Sequence, residues 1–226
     1  LARAWGVAAD RLHVVPNWGA IDQIPVLPKD NAWAREHDLA DKTVFLYSGT
    51  LGLKHNPELL VALAQRLQRD PKARVVAVAA GVGAATLPER KKALNLDNLI
   101  LLGLQPMERL AEVLATADVL TAVIERDAGA FSVPSKVLSY LCAARPILLA
   151  APEENLAAKT VRGIGAGAVV DPDDSEAWLK AAAALAGDAQ ARANMAAAAR
   201  AYAERNFDIE RVTDRFEAIF AAAMRP

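Results

Sequence analysis

The chain has 226 residues, 54% hydrophobic and 23% charged, with a formal net charge of −1. That apolar share supplies one sizeable α/β core and excludes disorder as the default state. The near-neutral balance excludes a global basic field for nucleic acid, although local cations can still meet a phosphate. Cys142 is the single cysteine, so neither an internal disulfide nor a thiolate metal site can be built. A buried thiol in a reducing compartment fits it best. No signal-peptide pattern is present, and the richest apolar stretch, 137–151, is broken by Arg145 and Pro146 before it could span a bilayer. The chain opens on Leu1 rather than Met, as expected of a piece of a longer protein.

Short β-branched runs alternate with amphipathic helical stretches. Strands are predicted at 12–15, 43–48, 74–79, 99–102, 119–124, 146–150 and 168–170. Most are continuous apolar runs, the signature of strands buried on both faces of a parallel sheet. Residues 17–42 hold prolines and little regular pattern, and read as a connecting loop with a short helix near 33–37. Asn56 then precedes Pro57 and Glu58: an N-cap, a first-turn proline and a first-turn acid. Leu59, Leu60, Leu63 and Leu67 form the apolar face of that helix. Met107, Leu110 and Leu114 repeat the face in a later one. Pro134 opens another helix, which must end before Pro146. Asp174 and Ser175 are candidate caps for an alanine-rich helix. From about 176 to 225 the chain reads as helix, broken near Gly187 and Asp188 and again at 206–208, with Val212, Phe216, Ile219 and Phe220 on the last apolar face. The fold class is therefore α/β, a doubly wound parallel sheet with a helical C-terminal tail.

Open sheets of this kind bind ligands beyond the carboxyl ends of their strands. Ser48-Gly49-Thr50-Leu51-Gly52-Leu53-Lys54 lies at such a place, between a strand and a helix. Gly49 and Gly52 allow close backbone approach, and Lys54 brings a mobile cation suited to a diphosphate. The same residues also fit an ordinary turn with a solvated lysine, and their spacing is not that of a P-loop. Gly81-Val82-Gly83 is weak as a binding motif and reads as a tight turn. Phe131-Ser132-Val133-Pro134-Ser135-Lys136 opens a helix, whose free amides and partial positive charge favour an anion. Ser132 and Ser135 add hydroxyl donors and Lys136 a charge, while Pro134 shapes the turn. Plain serine capping would look the same.

Other clusters carry less. Glu125, Arg126 and Asp127 read as solvated charges, and Glu153 and Glu154 as helix-start acids rather than an acid/base pair. His13, His37 and His55 lack metal-ligand spacing, though His55 adjoins the first loop. There is no nucleophile elbow, and the scattered Trp5, Trp18, Trp33 and Trp178 form no stacking platform.

Taken in order, these segments resemble glycosyltransferase family 4. The run Val14-Val15-Pro16-Asn17-Trp18-Gly19-Ala20-Ile21-Asp22 resembles the segment that opens the C-terminal domain of such an enzyme. The run from Phe45 to Lys54 is similar to the family's glycine-rich loop ending in lysine. The run from Val133 to Pro146 is similar to its proline-serine-lysine helix, which closes on arginine-proline, and Ala199-Arg200-Ala201-Tyr202 with Phe207 resembles the closing helices. The exopolysaccharide-building subgroup is the nearest in character. The resemblance implies one half of a GT-B enzyme: a Rossmann-like, donor-binding domain, with an acceptor-binding N-terminal domain missing. It implies transfer from a nucleoside diphosphate sugar, UDP or GDP type, with retention of configuration and no metal. Charge on the leaving diphosphate would be met by the amides of Ser135 and Lys136 together with Lys54.

Donor contacts carried over from the resemblance fall on Gly49, Thr50, Lys54, Gly81, Gly103, Leu104, Ser132, Val133, Ser135, Lys136 and Ser139, with Lys54 as the catalytic cation. The chain also departs from the family. Thr50 stands where many relatives have arginine, Phe131 and Ser139 where they have paired glutamates, and Ala144 where they have glycine.

The implied organisation is an opening segment and linker at 1–42, a nucleotide-sugar-binding domain at 12–186, and C-terminal helices at 187–226 packing back towards the missing half. Expected partners are the donor and that half, not nucleic acid. The expected location is the cytoplasm, with contact to the inner membrane face left to the missing half. A non-catalytic nucleotide-sugar-binding module, or another GT-B enzyme such as a nucleotide-sugar epimerase, remains an alternative. A dinucleotide-dependent dehydrogenase is disfavoured, because GxGxxG is missing after the first strand.

Overall fold

The computed structural model describes residues 5–15, 17–52, 55–129 and 135–224. Six parallel strands form one sheet: β1 (Thr43–Thr50), β2 (Ala73–Ala80), β3 (Leu99–Leu102), β4 (Val119–Val123), β5 (Ile147–Ala150) and β6 (Gly167–Val170). Their order is β3-β2-β1-β4-β5-β6. The helices are α1 (Ala32–Glu36), α2 (Glu58–Leu67), α3 (Val82–Ala93), α4 (Leu110–Ala115), α5 (Arg126–Gly129), α6 (Ser135–Cys142), α7 (Leu156–Gly163), α8 (Ser175–Gly187), α9 (Ala189–Asn206) and α10 (Ile209–Ala223).

The continuous apolar runs produce two cores. Successive strand residues point to opposite faces. Val44, Leu46, Leu120, Ala122, Ile147 and Leu149 therefore enter one cluster, with side chains from α1, α4, α6, α7 and α9. Phe45, Tyr47, Val119, Val123, Leu148 and Ala150 enter the other, with α2, α8 and Leu87 of α3. Each fully buried leucine contributes about 1.5–3 kcal/mol relative to exposure, so both faces must be covered for the sheet to stand. Trp178 fastens α8 to α2 by donating its indole N–H to the Leu59 carbonyl at 3.0 Å. Asn56 accepts from the Glu58 amide at 2.9 Å and Asp174 from the Ala177 amide at 2.8 Å, as helix starts require.

Two expectations are corrected. Residues 12–15 form no strand: Val14 is 84% exposed, and no described strand pairs with the segment. A β-branched run without a partner satisfies none of its backbone groups in a ladder. Conversely, the structure contains α3, which the sequence reading left out. Gly83 and Pro88 both disfavour a helix interior, and only Gly83 and Leu87 are buried there, so its apolar signal is faint.

The segment before β1 is fixed by cations that bond to carbonyls. Arg145 donates to the carbonyls of Leu27 and Ala115 at 2.9 and 2.7 Å. Arg200 donates to Ile24 and Cys142 at 3.1 and 2.8 Å. Lys29 bonds to Asp118 and to the Lys42 carbonyl, and the same Asp118 oxygen accepts from the Val44 amide at 2.7 Å. Arg145 follows Ala144, whose φ of 53° is left-handed. That conformation costs a non-glycine residue about 1–2 kcal/mol. Ala144→Gly is therefore expected to stabilise the chain by about 1 kcal/mol, measured as a higher urea midpoint; an unchanged or lower midpoint would show that the strain is already relieved.

Candidate functional site

The strand order reverses between β1 and β4, and a crevice opens there. The two strands pair only at Phe45↔Val119 and Leu46↔Leu120 before diverging. Beyond that point the backbone of Ser48 needs another partner on the β4 side. Tyr140 of α6 provides it. Its hydroxyl accepts from the Ser48 amide at 3.0 Å and lies 3.2 Å from the carbonyls of both Ser48 and Thr121. Tyr140 is 1% exposed. One phenol therefore joins α6 to both sides of the split, and burial pushes its pKa up, so that it stays a neutral donor.

The loop after β1 is seated on the loop after β2. Leu51 is fully buried; its amide donates to the Ala80 carbonyl at 2.8 Å, and its carbonyl accepts from the Gly83 amide at 2.8 Å. A Cβ on Gly81 or Gly83 would lie 2.9 Å from the Leu51 oxygen, and Gly81 has φ 109°. These glycines therefore serve the close approach of two loops. Gly81 packs on Leu51 and does not face the crevice. His55 closes the loop by accepting from the Gly52 amide through Nδ1 at 3.0 Å.

A cavity of about 480 Å³ occupies the crevice. One wall is polar: Ser48, Gly49, Thr50, His55, Ser135, Lys136 and Ser139. The other is largely apolar: Val78, Leu104, Met107, Leu110, Val113 and Leu114. Gln105 also lines it, held in place by the Trp33 indole N–H at 3.2 Å and bonded to the Gly103 carbonyl at 3.0 Å. The N-terminus of α6 opens on the polar wall. There the Lys136 ammonium bonds to the Tyr47 phenol oxygen and, at 3.3 Å, to the Thr50 carbonyl. Burial alone pushes the Lys136 pKa down to about 7.

Of the residues expected from sequence, the cavity brings together Gly49, Thr50, Leu104, Ser135, Lys136 and Ser139. Gly103 lines a smaller pocket between α3 and β3 instead. Lys54, Ser132 and Val133 lie outside the described residues, as does Phe131. Sequence reading missed Tyr47, Tyr140, Gln105 and, Leu104 apart, the apolar wall. The signal for Tyr140 was a phenol inside an otherwise apolar helix face, which must find a partner when buried. Arg126 is a structural latch: it pairs with Asp171 at 2.5 Å and Asp173 at 2.8 Å, across the ends of β4 and β6.

Tyr140→Phe would leave the Ser48 amide and the Thr121 carbonyl without this partner at the split. A loss of about 1–3 kcal/mol is expected, read from urea unfolding, with no change in the unfolding slope. A loss below about 0.5 kcal/mol would mean that the split is held elsewhere.

Comparison with known proteins places the chain in a family and its fold among solved structures. Residues 29–202 match the family Glycosyl transferases group 1. The chain is 31% identical over 219 residues to the glycosyl transferase WcaI of Escherichia coli (strain K12), named for colanic acid biosynthesis. That match covers 93% of this chain but only 52% of WcaI, so the chain spans about half the length of this relative. Among solved structures, Anabaena Alr3699/HepE in complex with UDP superposes with a TM-score of 0.80 at 17% identity, over 97% of this chain and 60% of that one. The C-terminal domain of the group 1 glycosyl transferase LpcC from Francisella tularensis superposes with a TM-score of 0.67 at 13% identity, over 84% of this chain and 98% of that one. The fold is the Rossmann-like α/β sheet of GT-B glycosyltransferases, with a helical C-terminal region, and the chain belongs to the glycosyl transferases group 1 family.

Proposed function

We propose that this chain is the donor-binding half of a retaining, family 4 glycosyltransferase that builds polysaccharide or a related glycoconjugate. The observation that carries the reading is the two-sided cavity at the strand-order switch. Its polar wall combines a helix N-terminus, glycine backbone and a lysine, all suited to a diphosphate. Its apolar wall, with Leu104, Met107 and Leu110, offers a surface for a nucleoside. A volume of about 480 Å³ lies in the usual range for a small-molecule site. Alr3699/HepE, which shares the fold, has been solved with UDP and with UDP-glucose, which favours a UDP-type donor over a GDP-type one.

In this reading the donor diphosphate lies against Gly49, Thr50, Ser135 and Lys136, and Ser139 is placed to reach the ribose. As the glycosidic bond breaks, negative charge grows on the diphosphate. The α6 amides and the Lys136 ammonium are already oriented towards that charge, so little reorganisation accompanies the step. Lys54 adds a further cation. The remainder of the enzyme supplies the acceptor, so the isolated chain binds the donor but does not turn it over.

The proposed organisation keeps 1–42 as opening segment and linker, 12–186 as the donor domain and 187–226 as helices that pack towards the other half. The apolar face of α10 supports the last part. Phe216 and Phe220 are 40% and 61% exposed, with ring centroids 6.2 Å apart. No described helix is long and apolar enough to cross a membrane. The proposed location is the cytoplasm, with any membrane docking through the other half.

Calorimetric titration with UDP, GDP and ADP, with and without magnesium, tests the reading. Binding of one nucleotide without metal is expected, weakened about tenfold by Lys54→Ala, the effect of losing one charge-assisted hydrogen bond. Failure of all three to bind would sink it. Phe131 and Ser139, standing where relatives carry glutamates, favour a second reading as a binding module without chemistry. Sugar transfer by the chain joined to its N-terminal half would exclude that reading.

A further inference from the structure

Lys136 is half-buried in an unusual way. Its ammonium contacts the Tyr47 phenol oxygen and the Thr50 carbonyl, and lies 3.8 Å from the centroid of the Tyr47 ring. Tyr47 donates its own proton to the Thr50 carbonyl at 2.7 Å, so its oxygen is available to accept. Burial, then the neighbouring Tyr140, keep the Tyr47 phenol protonated. The ammonium sits beside Gly49, where a Cβ would be 3.7 Å from Lys136 Cε, and it lines the cavity. The titratable groups around it are Tyr47 from β1, Tyr140 from its own helix and His55 on the cavity wall. The side facing β3 and α4 contributes Gln105, Met107 and Leu110, none of which titrates. Lys54 lies outside the described residues.

A lysine that served only to tie α6 to β1 would be an expensive choice. Taking an ammonium out of water costs free energy unless an opposite charge meets it. Here its partners are dipoles: a phenol oxygen, an aromatic face and a carbonyl. They fix the direction of the ammonium without neutralising it. Two of its three donors are engaged, and among the described residues no carboxylate pairs with the charge beside the cavity.

We propose that Tyr47 is a positioning residue for donor binding, holding the Lys136 ammonium beside Gly49 so that it meets the incoming diphosphate. The inference rests on the nucleotide-sugar reading above and deepens it. A bound diphosphate favours the charged lysine, so binding takes up a proton. The sign follows directly: affinity is full below pH 7, where Lys136 is charged before binding, and falls as pH rises through 7.

The test is calorimetric titration of the chain with UDP-glucose or GDP-glucose, whose diphosphate keeps a constant charge near neutrality, and with uridine or guanosine as phosphate-free controls. Affinity for the sugar nucleotide is expected to fall about tenfold between pH 6 and pH 8. Tyr47→Phe keeps the ring but removes the oxygen, and should weaken sugar-nucleotide binding about tenfold while sparing the nucleoside. Lys136→Met should abolish the pH dependence. Lys136→Arg, always charged, should retain binding with a flat profile. If wild type binds neither sugar nucleotide, the donor reading fails and this inference falls with it. If it binds one with a flat profile and Tyr47→Phe changes nothing, this inference alone is overturned. A pH dependence that survives Lys136→Met but disappears in His55→Gln would likewise overturn it, by moving the coupling to His55.

Discussion

The structure turns on the divergence of β1 and β4. Helices on both faces of a parallel sheet require the strand order to reverse somewhere, and at that point two neighbouring strands are no longer followed by crossovers on the same side. The strands part after Leu46 and Leu120, and backbone groups that would have paired across the gap face unsatisfied burial. The Tyr140 hydroxyl bonds there instead. The cavity can exist because one side chain from α6 replaces a missing stretch of ladder while leaving the space above it open.

This arrangement also explains the electrostatics. Tyr140 lies one helical turn after Lys136, so the contact that stitches the sheet also sets the height of the lysine. The lysine then meets the carbonyl end of β1, where Thr50 and Tyr47 present oxygen atoms but no carboxylate. Elsewhere among the described residues several exposed cations do form ion pairs, as Arg90 does with Glu58 and Arg126 with Asp171. Those pairs are solvated, and each adds little to stability. Lys136, by contrast, meets a phenol oxygen, an aromatic face and a carbonyl at the cavity wall.

The sheet was legible because its signal is local. A continuous run such as Val44 to Tyr47 announces burial on both faces without reference to the rest of the chain. The run at 12–15 looked similar and failed, since pairing depends on neighbours that sequence does not display. Helix α3 was hidden by Gly83 and Pro88, which hold a loop contact and a helix position against their own propensities. The cavity-lining residues Gly49 and Ser135 could be read from motif and spacing. The Tyr47–Lys136 and Ser48–Tyr140 contacts could not, because they join residues 89 and 92 positions apart. The glycines of the second loop were visible, but their task is packing against Leu51, which only the folded loop reveals.

The helix α6 carries three separate duties in consecutive turns. Its first residues, Ser135 and Lys136, face the cavity; Tyr140 bridges the sheet; and just beyond its end Arg145 reaches the carbonyl of Leu27. Val137, Leu141 and Cys142 fill the core between these points, all 2% exposed or less. A packed helix moves as a rigid unit, so none of the three contacts can shift alone. The strained φ at Ala144 is the local cost of turning Arg145 back towards the Leu27 carbonyl. Residues 24–29 are thereby held to the same body as the cavity, as part of the sheet's frame rather than a loose segment.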